Sequence, residues 1–286
     1  MDIHAIQTGS VAVKTRQREG VGTGRRRFLN MLLDREWTEP LPILAWVIAH
    51  PEGVIVVDTG ETSRASEDGY FPGWHPYFRI GVREDVQPED EIGRQLLNIG
   101  IDASDVRWVV MTHLHTDHAG GLHHFKDSEI LVTPRELEDA SGRRGRVRGY
   151  VNNRFPDWFS PIPVEFGDAP IGPFPSSMAL TRAGDVHLVP VPGHTPGQMA
   201  VLIDVSDVAV FLAGDSSYTE DLMVRGAVDG VSPSDAEAKL TLERIRSLAA
   251  ARSVVYLPSH DPESVARLES RRVVDFVEPS AVLAAA

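Results

Sequence analysis

Apolar residues along the chain gather into short runs bounded by glycine, proline, asparagine and aspartate, a pattern of sheet strands rather than of long helices. Strands are expected over Ile3 to Val13, Ile43 to Ala49, Val54 to Val57, Val106 to Met111 and Ile130 to Val132. In the second half they are expected over Val186 to Val191, Met199 to Val205, Val208 to Ala213 and Val254 to Leu257. Between them, Pro88 to Asn98 carries proline and acids in its first turn, apolar Ile92, Leu96 and Leu97, and Gly100 as a stop, so it predicts a helix. Thr133-Pro134-Arg135-Glu136 has the form of a capping box. Ser232-Pro233-Ser234-Asp235 caps a helix running to about Leu248, with Leu240, Ile245 and Leu248 able to face a sheet. Alternation of strand and helix implies an α/β layered core.

Two stretches break this rhythm. Residues 61–86 include Gly69-Tyr70-Phe71-Pro72-Gly73-Trp74-His75-Pro76-Tyr77-Phe78, whose glycines and prolines argue against a regular element. Its aromatic residues Tyr70, Phe71, Trp74, Tyr77 and Phe78 need something to cover, either a satellite core or the apolar wall of a pocket. Residues 141–160, basic and glycine-rich at first and aromatic afterwards, suit a solvated loop or a lid equally well. The tail Pro279 to Ala286 is expected to be loosely held.

The candidate chemistry is concentrated in Thr112-His113-Leu114-His115-Thr116-Asp117-His118-Ala119-Gly120-Gly121, directly after a buried strand. While the backbone stays extended, its period of two sends His113, His115 and Asp117 to one side, and a turn into a helix brings His118 round beside them. Such a group suits one metal ion or two. Imidazole nitrogens and carboxylate oxygens favour zinc, with iron, manganese and cobalt also accommodated. Later candidates also stand just past strands: His194 in Gly193-His194-Thr195-Pro196-Gly197, Asp215 in Ala213-Gly214-Asp215, and His260 after Ser259.

His-x-His-x-Asp-His after a strand, followed in order by these motifs, resembles the metallo-β-lactamase superfamily of hydrolases. The resemblance covers most of the chain and implies a four-layer αββα sandwich, with residues 1–286 as a single domain carrying the two irregular insertions. Carried over by position, it implies that His113, His115 and His194 bind one metal, that Asp117, His118 and His260 bind a second, and that Asp215 bridges them. It also implies that Asp58, in Val57-Asp58-Thr59-Gly60, hydrogen-bonds to a ligand histidine from behind. Two adjacent divalent cations lower the pKa of a shared water enough to supply hydroxide near neutral pH. No Gly-x-Ser-x-Gly elbow competes with this as a source of nucleophile.

Within the superfamily, the absence of cysteine and the presence of Asp215 count against antibiotic hydrolysis. Asp215-Ser216-Ser217-Tyr218 is similar to the N-acyl-homoserine lactonases, the quorum-quenching branch, in which a tyrosine three residues after the bridging aspartate places its hydroxyl over the metals. The resemblance thus implies a dinuclear lactonase in which Tyr218 donates to the lactone carbonyl and Asp117 delivers a proton to the leaving alkoxide. A glyoxalase II-like thioesterase, a broad-specificity esterase or phosphoesterase, and a redox or non-catalytic metal-binding protein remain alternatives.

Charge and composition narrow the partners. Lysine and arginine total 28 against 41 aspartates and glutamates, a formal charge of -13, so the surface should repel nucleic acid. No apolar run approaches a membrane span, and the N-terminus lacks a signal-peptide pattern. A soluble cytoplasmic protein acting on a small lactone or ester, with room for a homodimer, is therefore expected.

Overall fold

The computed structural model describes residues 1–276, so the tail Pro279 to Ala286 lies outside the described residues. The first sheet contains β1 (Asp2–Val13), β2 (Leu41–His50), β3 (Gly53–Val57), β4 (Val82–Asp85), β5 (Val106–Val110), β6 (Glu129–Val132) and β7 (Ile162–Pro163), in the order β4-β1-β2-β3-β5-β6-β7. The second contains β8 (Met178–Ala179), β9 (Val186–Pro190), β10 (Met199–Val205), β11 (Val208–Gly214) and β12 (Val254–Pro258), in the order β12-β11-β10-β9-β8.

The apolar runs have no polar face because both faces of each sheet are covered. In β2, Leu44, Trp46 and Ile48 pack between the sheets against Leu188, Val201 and Leu257, while Ala45 and Val47 pack outward against Ile92 and Leu96. In the second sheet, Val201 and Ile203 face inward. Ala200 and Leu202 meet Ala238, Leu242, Ile245 and Leu248 of the helix Asp235–Ala251. The result is the expected sandwich of helix, sheet, sheet and helix. Trp46 is among the largest fully buried side chains, and truncating it to alanine should cost about 3–5 kcal/mol.

Several local expectations change. Leu240 is 46% exposed, whereas Leu242 is buried, because the stripe facing the sheet runs 238, 242, 245, 248 and position 240 falls off it. The helix expected from Pro88 starts only at Ile92; its first acids form a turn in which Asp90 accepts from the Gln87 amide at 2.9 Å. Both insertions contain short helices, Pro76–Ile80 and Gly142–Val147, the former made possible by proline at its first position.

The topology brings the candidate ligands together. β3, β5 and β6 run parallel, as do β11 and β12. β9 is antiparallel to β10, which is antiparallel to β11, so β9, β11 and β12 also end at one edge. Backbone bonds join the sheets there: Met199 N–H to the Thr112 carbonyl at 2.9 Å, and Leu44 N–H to the Ser259 carbonyl at 3.0 Å.

Candidate metal centre

His113, His115 and His194 form one group of converging donor atoms, Asp117, His118 and His260 a second, and Asp215 joins His113 and His118 in a third. All seven residues predicted as ligands are therefore together. His115 Nδ1 lies 3.1 Å from His113 Nε2 and 3.0 Å from His194 Nε2. Asp215 reaches both sides: Oδ1 is 3.3 Å from His118 Nε2, and Oδ2 is 3.5 Å from His194 Nε2 and 3.4 Å from His260 Nε2. Asp117 Oδ2 is 3.3 Å from His260 Nε2.

Partners behind the imidazoles fix which nitrogens face inward. Asp58 accepts from Thr112 N–H and Oγ1–H at 2.7 and 2.8 Å, and its Oδ2 lies 2.8 Å from His118 Nδ1. These bonds hold Asp58 at φ 60, in the left-handed region. Since the Thr112 hydroxyl proton goes to Asp58, its oxygen is free to accept from His113 Nδ1 at 3.1 Å. The Pro42 carbonyl accepts from His260 Nδ1 at 2.8 Å. Asp229 Oδ2 is 3.1 Å from His194 Nδ1, and Asp229 is itself held by the amides of Val231 and Ser232.

Each neutral imidazole in this arrangement turns a bare ring nitrogen, Nδ1 in His115 and Nε2 in the others, toward other lone pairs and carboxylate oxygens. His118 Nε2 and Asp215 Oδ1 are buried without a hydrogen-bond partner. Such a donor set repels itself unless protons or metal cations stand within it, so its residues fit divalent metals. Without metal, burial first and neighbouring imidazoles second hold His113 and His115 neutral, the latter down to about 3. Burial also opposes charge on His118, His194 and His260, but the carboxylates outweigh it. Asp215 and Asp58 raise His118, Asp229 and Asp215 raise His194, and Asp215 and Asp117 raise His260 to about 10. Burial is likewise overcome at Asp117, where His118 and His260 lower the pKa to about 2. Metal ions would replace these protons.

A cavity of about 540 Å³ opens onto Asp117, His115, His194 and Asp215. Of the five aromatic residues expected to form its wall, Tyr77 and Phe78 do so, joined by Phe28, Val147 and Tyr150. The other three do not border it. Phe71 stacks behind Phe78 with ring centres 4.7 Å apart, Tyr70 is buried with its hydroxyl donating to Glu61 Oε1 at 3.3 Å, and Trp74 is 60% exposed. His75 Nε2 lies 3.0 Å from the Val147 carbonyl and so joins the two insertions.

Tyr218 lines the same cavity and stacks on His260, with ring centres 5.6 Å apart. Gln17 Nε2 donates to the hydroxyl oxygens of both Tyr218 and Tyr77 at 2.9 Å. Burial and the nearby Asp215 carboxylate raise the Tyr218 pKa well above its ordinary value, so the phenol keeps its proton at neutral pH.

Sequence reasoning missed Gln17 and Asp229, and assigned Glu136 only a cap. The Thr133 hydroxyl oxygen does accept from Glu136 N–H at 3.2 Å. Yet the Glu136 carboxylate points inward, accepting from Leu114 N–H at 2.9 Å, the Tyr150 hydroxyl at 3.0 Å and the Thr195 hydroxyl at 2.7 Å. It thereby couples the loops carrying His113, His115 and His194. Asp229-Gly230 looks like any turn dipeptide, and its place between strands and a capped helix is the only signal.

A family model described as metallo-beta-lactamase superfamily matches residues 38–260, which contain all seven candidate ligands. The chain belongs to the metallo-β-lactamase superfamily. Among the relatives of this superfamily member, the N-acyl homoserine lactonase AttM of Azorhizobium caulinodans is 26% identical over 239 residues, 78% of this chain and 83% of AttM. An N-acyl homoserine lactonase of Bacillus sp. is 31% identical over 63% of this chain and 66% of its own. Among solved structures, an N-acyl homoserine lactone hydrolase with the product N-hexanoyl-L-homoserine at its catalytic metal centre matches with a TM-score of 0.75. That match has 23% identity and covers 95% of this chain and 96% of the other. The shared architecture is thus that of a metallo-β-lactamase fold. Among the described residues, no helix is long and apolar enough to cross a membrane.

Proposed function

We propose that this superfamily member is a lactonase that opens N-acyl-homoserine lactones at a dinuclear centre, zinc being the metal that best suits its ligands. His113, His115 and His194 would hold one ion, Asp117, His118 and His260 the other, and Asp215 would reach both. When bound, the ions would polarise the lactone carbonyl and lower the pKa of a water toward 7, supplying the nucleophile.

The observation that carries the choice of substrate is Tyr218. Its phenol stands in the cavity wall beside Asp215, stays protonated, and accepts from Gln17, which leaves its own O–H free to donate. A donor so fixed suits a lactone carbonyl oxygen and binds it more strongly as negative charge develops there. Asp117, a carboxylate at neutral pH on the cavity floor, is suited to take a proton at Oδ from the attacking water and pass it to the leaving alkoxide. The apolar wall of Phe28, Phe78 and Val147 suits an acyl chain.

The test is a substrate panel on zinc-loaded protein: N-acyl-homoserine lactones, S-lactoylglutathione and a phosphodiester. The highest kcat/KM is expected for the lactones. Faster turnover of either competitor would replace the assignment, and turnover of none would remove it.

A further inference from the structure

Beyond the candidate centre, the turn after His118 carries two adjacent imidazoles, His123 and His124, whose ring centres lie 4.0 Å apart. Both aim Nε2 at a single oxygen, Glu91 Oε2, at 3.3 and 2.9 Å. The three donor atoms lie within 4.8 Å of one another. Gly93 makes room for this packing, because a Cβ at that position would stand 2.8 Å from His124 Cε1.

The hydrogen bonds around the group identify what it lacks. His123 Nδ1 lies 3.1 Å from the Gly120 carbonyl oxygen, which can only accept, so Nδ1 carries the proton. Nε2 of neutral His123 therefore presents a lone pair to a carboxylate, a repulsive contact unless a second proton or a metal cation lies between them. A backbone carbonyl on the far nitrogen is also the partner that orients metal-binding histidines. Glu91 is held for the purpose: Oε1 accepts from Ser63 N–H at 2.9 Å, the Ser63 hydroxyl at 2.5 Å and the Thr62 hydroxyl at 3.1 Å, which leaves Oε2 for the histidines. Ligand atoms about 2.0–2.1 Å from a tetrahedral zinc stand roughly 3.3 Å apart, close to the separations found here.

We propose that Glu91, His123 and His124 form a separate site for a divalent transition cation, zinc being the best suited, with solvent completing the coordination shell. The His123 side chain is 43% exposed, which gives that solvent access. A filled site would tie three segments together: the start of the helix Ile92–Asn98, the turn leaving the candidate centre and, through Ser63, the root of the aromatic insertion.

Equilibrium dialysis against buffered free Zn²⁺ tests the site by comparing the unsubstituted protein with the double variant His123→Gln/His124→Gln. The variant is expected to hold one zinc equivalent fewer, whatever the total, and the His123 and His124 ring resonances of the unsubstituted protein should shift in step with that equivalent. Equal zinc content overturns the assignment, and so does a deficit without those shifts. Glu91→Gln provides a second route to the same deficit. The deficit should persist in an Asp215→Ala background, so failure of the candidate centre and failure of this site are distinguishable.

Discussion

Replacing Tyr218 by phenylalanine removes one oxygen and leaves the ring stacked on His260. If the phenol donates to the lactone oxygen as charge develops, its loss should cost about 2.7–4 kcal/mol of transition-state stabilisation, a fall of roughly 10²–10³ in kcat. Folding should suffer less, because Gln17 Nε2 retains Tyr77 as a partner and an unmet buried donor costs only about 1–3 kcal/mol. The assay is steady-state turnover of an N-acyl-homoserine lactone at saturating substrate, with metal content and melting temperature measured on the same sample. Gln17→Leu should lower kcat by a smaller factor, since it releases the phenol without deleting it. In the double variant the two losses should not add, because the amide acts through the hydroxyl. A kcat within twofold of the parent in fully metal-loaded Tyr218→Phe would refute the assigned role.

Asp229→Asn removes the charge behind His194 and should weaken metal affinity about 10–100-fold in competition with a chelator; unchanged affinity would leave Asp229 with a role in the turn alone. In the metal-free protein the His260 pKa rises from 6.5 to about 10, so the folded state holds this proton more tightly than the unfolded state does. That stabilisation is complete below about 6.5 and is lost as pH rises through about 10. The melting temperature of metal-free protein should therefore fall between about pH 7 and 10 relative to that of metal-loaded protein, and parallel curves would count against it. Phe78→Ala should raise KM for long acyl chains more than for short ones, whereas Trp74→Ala, outside the cavity, should leave chain-length preference unchanged. Equal effects of the two substitutions would place the acyl chain elsewhere.

The central strands were legible because both faces of each sheet are buried, so β2, β3, β10 and β11 read as nearly unbroken apolar runs, as does the fully buried edge strand β12. The edge strands β4, β7 and β8 were not, being two to four residues long and partly exposed. The ligands were legible because metal binding needs particular side chains at strand ends, and this chemistry leaves motifs in the sequence. Asp58 shares in this through its own motif, but Gln17 and Asp229, which support the site from outside any motif, leave none. Gln17 meets Tyr218 across 201 positions, and Asp229 meets His194 across 35. Nothing in Arg25-Arg26-Arg27 signals that Arg27 turns inward to donate to the Asp229 carbonyl at 3.1 Å. The cavity wall was half legible: the aromatic insertion has the right composition, but only the short helix starting at Pro76 determines that Tyr77 and Phe78, rather than Trp74, face inward.

The claim on which the chemistry depends is that seven side chains from two sheets hold a pair of divalent ions with Asp215 between them. Metal analysis of His123→Gln/His124→Gln protein, with and without Asp215→Ala, tests it without interference from the outlying site. Two zinc equivalents are expected with Asp215 present, falling toward one when it is replaced. No bound metal in the first protein, or two equivalents undiminished in the second, would contradict it.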